Sequence, residues 1–404
     1  MNKLFTSESV SQGHPDRLCD TIVNTLLTVI LQQDPKAHVG LEALVTENFL
    51  VLSGEVSSSY TPDYEGICRE VVKEIGYTKP EYGFCYNTFT FINKVNTQSP
   101  DIAQGVNLSE TEVGAGDQGI IFGYASNESD NLYPLAAHLA NAMTTRYQDF
   151  FKGDNNFRPD AKSQVTVNYT TGTIDTVVFS ASHEETASSE YVKKTVIDNI
   201  ILPVLRENLD EEAFKNTKFL INTTGKFVIC GPKGDAGVVG RKLVVDSYGG
   251  YAKIGGGCTN GKDPSKVDAS AARAARHAAK NLVAAGVCDE CEIQLAYAIG
   301  VAEPVSISVN TFGTAKGVTD EEIAGLLDKV YDFSPAAIIK NLHLAETDYS
   351  VITRTGQFGQ NSSIVEKSNR TVYLYPWEGL DYVEFFKSAF GVKMHSNPAT
   401  EAKK

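Results

Sequence analysis

The stretch GAGDQG, residues 114–119, runs straight into IIFGYA, residues 120–125. How these twelve residues are read decides the fold. The first six fit G-x-G-x-x-G, which marks a dinucleotide-binding turn only when a strand precedes it and a helix follows, because the helix N-terminus holds the pyrophosphate. Here TQSPDIAQGVNLSETEV (97–113) precedes it, polar and punctuated by Gly and Pro. That segment reads as a long mobile loop. IIFGYA reads as a strand. Both flanks are wrong, so a nicotinamide oxidoreductase on a doubly wound sheet is excluded.

Working outward, PDRLCDTIVNTLLTVILQQ (15–33) puts Leu18, Ile22, Leu26 and Ile30 on one face, which is helical spacing. Pro15 suits the first helical position, with His14 at the cap. Strands are expected at 38–45, 48–56, 88–95, 163–170 and 174–182, and a paired set at 218–229. Further strands are expected at 291–299 and 303–312. Helices are expected at 62–76, 134–150, 189–206, 264–286 and 319–331. In the late strands Ile293, Leu295, Tyr297 and Ile299 alternate, as do Val305, Ile307 and Val309. Alternation implies antiparallel or mixed sheets with two unlike faces. Two or three strands followed by a helix recur three times, without sequence repetition. The fold class is α+β, three similar units with helices on one side of each sheet.

The chain has 404 residues, 42% hydrophobic and 21% charged, with a net charge of −14. That charge argues against nucleic acid and anionic membranes as partners. The N-terminus lacks the apolar core of a signal peptide, and no apolar run would span a bilayer. Seven scattered cysteines then read as reduced thiols of a cytoplasmic protein. Cys288 and Cys291 form a lone C-x-x-C without the second pair a structural zinc site requires.

Positive charge gathers beside glycine in CGPKGDAGVVGRK (230–242) and YGGYAKIGGGCTNGKDPSKVD (248–268). Arg241, Lys242, Lys262 and Lys266 lie there, with backbone able to approach phosphate oxygens closely. The near-match to a P-loop at 256–263 fails, because Asp263 stands where Ser or Thr must bind Mg²⁺. Asp263 reads instead as a helix cap before Pro264. Asp268, among lysines, suits a Mg²⁺ shared with phosphates. Asp16 and Asp20 share a helix face, so that one could hold a metal while the other stays structural.

GHPDR (13–17), GAGDQG, RPDAKSQV (158–165), GPKGDAGVVGRK and GKDPSKVD occur in this order. Together they resemble the motif set of the S-adenosylmethionine synthetases, from about residue 4 to about 312. The resemblance implies synthesis of S-adenosylmethionine from ATP and L-methionine, with Mg²⁺ and K⁺ as cofactors. It implies a pseudo-threefold arrangement of domains at 1–100, 112–231 and 232–404, with a divergent tail after about 355. Residues 98–112 would be a mobile active-site loop. The family forms homodimers, often paired into tetramers, with active sites at the dimer interface.

By the same resemblance His14 would lie at the reacting bond. Lys162, Arg241, Lys242 and Lys262 would contact the phosphates. Asp16 and Asp268 would hold Mg²⁺, and Glu42 K⁺. Asp160 would place the nucleoside, Phe227 would stack on adenine, and Asp117 would line the same site. Glu55, Gln98, Asp235 and Lys266 would surround methionine, with Asp235 also near the nucleotide. Retention of Glu55, Gln98 and Asp235 favours a methionine-using enzyme over a phosphate-hydrolysing relative. The sequence departs from the family pattern at Gln12, Arg17, INTTGKF (221–227), Cys230, Cys258, Thr259, Asn260, Ala269 and QFGQ (357–360). Cys258, near the nucleotide, leads to an expectation of thiol-sensitive activity.

Overall fold

In the computed structural model residues 3–97, 114–367 and 370–391 are described. Helix α1 (Pro15–Gln33) follows strand β1 (Leu4–Val10). Strands β2 (His38–Thr46) and β3 (Phe49–Ser57), helix α2 (Tyr64–Ile75) and strand β4 (Thr90–Asn96) complete the first third. Next come β5 (Gly119–Ser126), α3 (Leu135–Phe150), β6 (Phe157–Asn168) and β7 (Thr173–His183). Two helical segments, α4 (Ser189–Val196) and α5 (Leu202–Asn208), are joined by a π-turn at Ile197–Ile201. Pro203 sits at the start of α5, where its missing N–H would break continuous α-helical bonding.

Strands β8 (Lys218–Ile221) and β9 (Gly237–Val238) and the single-turn α6 (Leu243–Asp246) lead to α7 (Val267–Ala284). Strands β10 (Glu290–Tyr297) and β11 (Ser306–Asn310) and helices α8 (Asp320–Val330), α9 (Pro335–Asn341) and α10 (Ile352–Thr355) follow. The tail forms the hairpin β12 (Ser363–Lys367) and β13 (Arg370–Leu374), then α11 (Val383–Ala389).

Three larger sheets have the orders β1-β6-β7-β8, β4-β3-β2-β9 and β11-β10-β5. Each is backed by one long helix: α3 on the first, α1 on the second, α7 on the third. Pairing is antiparallel except for β3 with β4 and β7 with β8, so the α+β reading with mixed sheets holds. Each sheet also draws strands from distant parts of the chain. Strand β1 pairs with β6, β9 with β2, and β5 with β10.

Two strands differ in extent from the sequence reading. β6 begins several residues earlier than expected, because β7 continues to pair with its first residues, with Phe157 opposite His183 and Ala161 opposite Ala181. Only Lys218–Ile221 of the expected 218–229 set is strand. Asn222 then turns into the left-handed region and bonds Ala181 through both ends of its amide. The start of α7 differs too. Asp263 does not cap it; its carboxylate accepts from the Val39 N–H at 2.6 Å and the Ser265 N–H at 2.9 Å. Lys266 holds the cap position instead.

Helix α7 is alanine-rich, and it closes onto β5 over Gly123. A Cβ there would lie 2.1 Å from the Ala275 carbonyl carbon. Polar side chains buried on α7 must then find partners. Arg276 donates to the Tyr124 and Leu132 carbonyls and pairs with Glu378, which also takes Lys280. Cys288, between α7 and β10, and Cys291, in β10, are buried free thiols. Among the described residues no helix is long and apolar enough to cross a membrane.

Glu184 clamps the first third to the centre. It accepts from Arg158 at 2.6 Å, Tyr82 at 2.9 Å and Lys79 at 3.2 Å. Burial works against its charge, but these donors prevail and hold its carboxyl at about 2. A carboxyl depressed in this way contributes stability above its ordinary pKa of 4.5, and that stability is lost as pH falls towards 2. Glu184→Gln should therefore cost about 1 kcal/mol at neutral pH. Urea midpoints of the two proteins should differ at pH 7 and converge in acid.

Candidate active site

The N-terminus of α1 gathers the first group of charges. His14 caps the helix, and its Nδ1 accepts from the Asp16 N–H at 3.2 Å. Burial, reinforced by Lys242 and Lys162, pushes the imidazole down to about 3. His14 is therefore neutral at physiological pH. With Nδ1 accepting, the proton resides on Nε2, which is left as a donor.

Asp16 accepts from the Val238 N–H at 3.0 Å and from Lys242 Nζ at 2.5 Å, with Arg241 at 3.9 Å. Burial opposes its charge, but Lys242 and the Val238 N–H together keep the carboxyl below its ordinary value. Asp160 and Lys162 alternate on β6 and so share a face. Asp160 is buried. One of its oxygens accepts from the Gly231 N–H at 2.9 Å, and the other has no protein partner. Burial raises it to about 6, with the Asp235 charge adding to the rise. Asp20, on the next turn of α1, is occupied structurally. It accepts from the Gly240 N–H at 2.9 Å and lies 3.8 Å from Arg17.

A second group lines a cavity of about 490 Å³: Glu42, Glu55, Asp117, Lys262, Lys266 and Asp268. Strand β2 turns Val39, Leu41, Ala43 and Val45 into the core and leaves Glu42 and Leu44 on its open face. Glu55 lies opposite Gly40 on β3, on that same face. Burial raises the Glu42 carboxyl, against the pull of Lys262. Lys262 bonds Asp268 at 2.7 Å. A Cβ on Gly257 would fall 2.1 Å from the Asp268 carboxyl carbon, so only glycine lets the loop pass there. Lys266 pairs with Asp263.

Among the described residues no hydrogen bond or ion pair joins the two groups. Asp16 and Asp268, both expected to hold Mg²⁺, belong to different groups. Phe227 bonds to neither group among the described residues; at the end of β7 its carbonyl accepts from the His183 N–H at 2.9 Å and its N–H donates to His183 Nε2 at 3.1 Å. Gln98 and the expected loop 98–112 lie outside the described residues, apart from the loop's neighbours. No group of three or more His, Cys, Asp or Glu able to hold a metal occurs among the described residues. The expected Mg²⁺ ligands are carboxylates, Asp16 in the first group bonded to Lys242 and Asp268 in the second bonded to Lys262. That chemistry suits Mg²⁺, which commonly takes one or two carboxylates and completes its shell with phosphate and water.

Sequence reading missed Asn24, Asp246, Asn260 and Gln357 as working residues. All four are buried and bonded to one another behind the charged groups. Nothing in their local sequence announces it, since their partners lie far away along the chain.

Cys258 is half-buried, with Sγ accepting from the Asn260 N–H at 3.3 Å. Burial, aided by Asp20, pushes its thiol far above the ordinary value. The thiolate is the reactive form, so the geometry disfavours the expected thiol sensitivity. A maleimide at pH 8 should modify Cys258 at least about a hundredfold more slowly than a free thiol. Peptide mapping over time would check this.

Residues 2–100 match the S-adenosylmethionine synthetase N-terminal domain, residues 112–227 the central domain and residues 229–367 the C-terminal domain. The Glu378 clamp and α11 lie beyond the matched residues. With all three domains matched in order along most of its length, the chain belongs to the S-adenosylmethionine synthetase family and is a methionine adenosyltransferase.

Proposed function

We propose that the enzyme joins methionine to ATP by attack of the thioether sulfur on C5′, then hydrolyses the released tripolyphosphate with one water to pyrophosphate and phosphate. In the first step the S–C5′ bond forms, the C5′–O bond breaks, and the electron pair leaves on the triphosphate oxygen. A thioether carries no proton, so no general base is required. The barrier lies in the charge that builds on the leaving oxygen, which fixed donors and cations lower.

The state of His14 carries this reading. A buried, neutral imidazole with its Nε2 proton free, beside Lys162 and Lys242, can donate to a developing oxyanion without first titrating. Lys162, Arg241, Lys242 and Lys262 take the phosphates. Asp160 and Phe227 receive the nucleoside, with Cys258 near it. Glu55, Asp235, Lys266 and Gln98 hold methionine, and Asp117 lines its cavity. The family uses metal ions; Mg²⁺ held by Asp16 and Asp268 would neutralise phosphate charge, and Glu42 is the candidate for K⁺.

The division into two groups favours a site shared between two copies of the chain. The second group occupies an open sheet face that also exposes Leu44, and Ile120 is exposed on β5. A second copy covering such faces would bury those side chains and bring one copy's His14 group to the other's Lys262 group. The domain limits expected at 1–100, 112–231 and 232–404 and a cytoplasmic location are part of this reading.

Product analysis with ATP, Mg²⁺ and K⁺, with and without methionine, tests it. S-adenosylmethionine, pyrophosphate and phosphate should form in equal amounts and only with methionine. Phosphate release that ignores methionine, without a sulfonium product, would overturn the reading. His14→Asn should lower kcat by about 10²–10³-fold, with no inflection near pH 6.5 in the parent's kcat profile assignable to this residue.

A further inference from the structure

The charged segments of the site are tied together from behind by one buried hydrogen-bond network. Asn24, Asp246, Asn260 and Gln357 are each no more than 2% exposed. Asn260 donates to Asp246 at 2.9 Å, and its Oδ1 accepts from Asn24 at 2.9 Å and Gln357 at 3.1 Å. Asp246 also receives Arg17. Asn24 accepts from the Gly261 N–H at 2.9 Å. Gln357 is held at every polar atom. Its Oε1 accepts from Arg273 at 3.1 Å, its N–H donates to the Asp246 carbonyl at 3.2 Å, and its carbonyl accepts from Trp377 at 2.7 Å. These bonds fix which way each amide faces.

Three of the anchors adjoin charged groups of the site. Arg17 follows Asp16. Asp246 closes the single turn of α6 that opens at Lys242, its N–H bonding the Lys242 carbonyl at 2.8 Å. Asn260 precedes Gly261 and Lys262. We propose that Asn260, supported by Gln357, is the positioning residue that sets Lys242 for the triphosphate of one site of the dimer and Lys262 for that of the other. This rests on the assignment of those lysines made above. Asparagine suits position 260 because it is the donor that Asp246 needs and the acceptor that Asn24 and Gln357 need. Aspartate would set two carboxylates face to face, and alanine would leave buried groups on three segments unpaired. A shift of about 1 Å in groups so placed can cost about a hundredfold in rate.

Asn260→Ala, Gln357→Met and the double variant would be compared with the parent, using protein with an unchanged circular dichroism spectrum. Each single change should lower kcat about tenfold and raise KM for ATP about tenfold, with KM for methionine moving less than about twofold. The double variant should fall no further than Asn260→Ala alone, because both remove one network. Constants within about twofold of the parent, equal losses for ATP and methionine, or multiplying effects would overturn the proposal. If Asn260→Ala fails to fold, Gln357→Met decides, since it keeps volume and removes only the side-chain bonds to Asn260 and Arg273. Lys262→Met separates the two readings. If it raises KM for ATP while the network variants do not, the network has no positioning role. If it leaves KM for ATP unchanged, the phosphate assignment fails and the proposal falls with it.

Discussion

Helix α1 is buried almost all round, with fifteen of its nineteen residues out of solvent. Its apolar face explains only part of that. Asp16, Arg17, Asp20, Asn24 and Thr28 are buried too, and each requires a partner, because an unpaired polar group in the interior is costly. Partners arrive from later segments. Val238 and Gly240 donate to Asp16 and Asp20. Asp246 takes Arg17, Asn260 takes Asn24, and the Tyr349 N–H donates to Thr28. Burying this one helix therefore fixes where the glycine-rich segments and the C-terminal region lie, and the active-site charges ride on those segments.

Helix α7 applies the same rule on the other side of the molecule. Arg276 and Glu378 are fully buried, with Lys280 sharing the carboxylate. An ion pair in that position is weak evidence for stability but strong evidence for register, since leaving either charge alone is far worse than either pairing or replacing both. The pair pins the turn at Pro376–Glu378 against α7. Residues past the family match are thereby built into the core, not appended to it.

Electrostatics at the site follow from the same burial. His14 is neutral because it is desolvated beside lysines, while Asp16 stays charged because Lys242 bonds it directly. Neighbouring groups are driven to different states by their surroundings, which lets a neutral donor and a carboxylate coexist within one helical turn.

Much of this was legible in the sequence. The limits of α1 were read from Pro15 and the spacing of Leu18, Ile22, Leu26 and Ile30, because capping and periodicity are local. The strand after GAGDQG was read the same way, and it excluded a dinucleotide fold. The motif set carried the family and its candidate residues. What the sequence could not supply was pairing across distance. The union of β1 with β6, the partition of the charged residues into two groups, and the network around Asn260 join residues up to 237 positions apart, and nothing local specifies such contacts. The Asp263 cap failed for that reason: a helix start was visible, but Val39 claimed the carboxylate. Local chemistry set the elements and the reactive side chains, whereas burial in three dimensions decided which charges meet and which stay neutral.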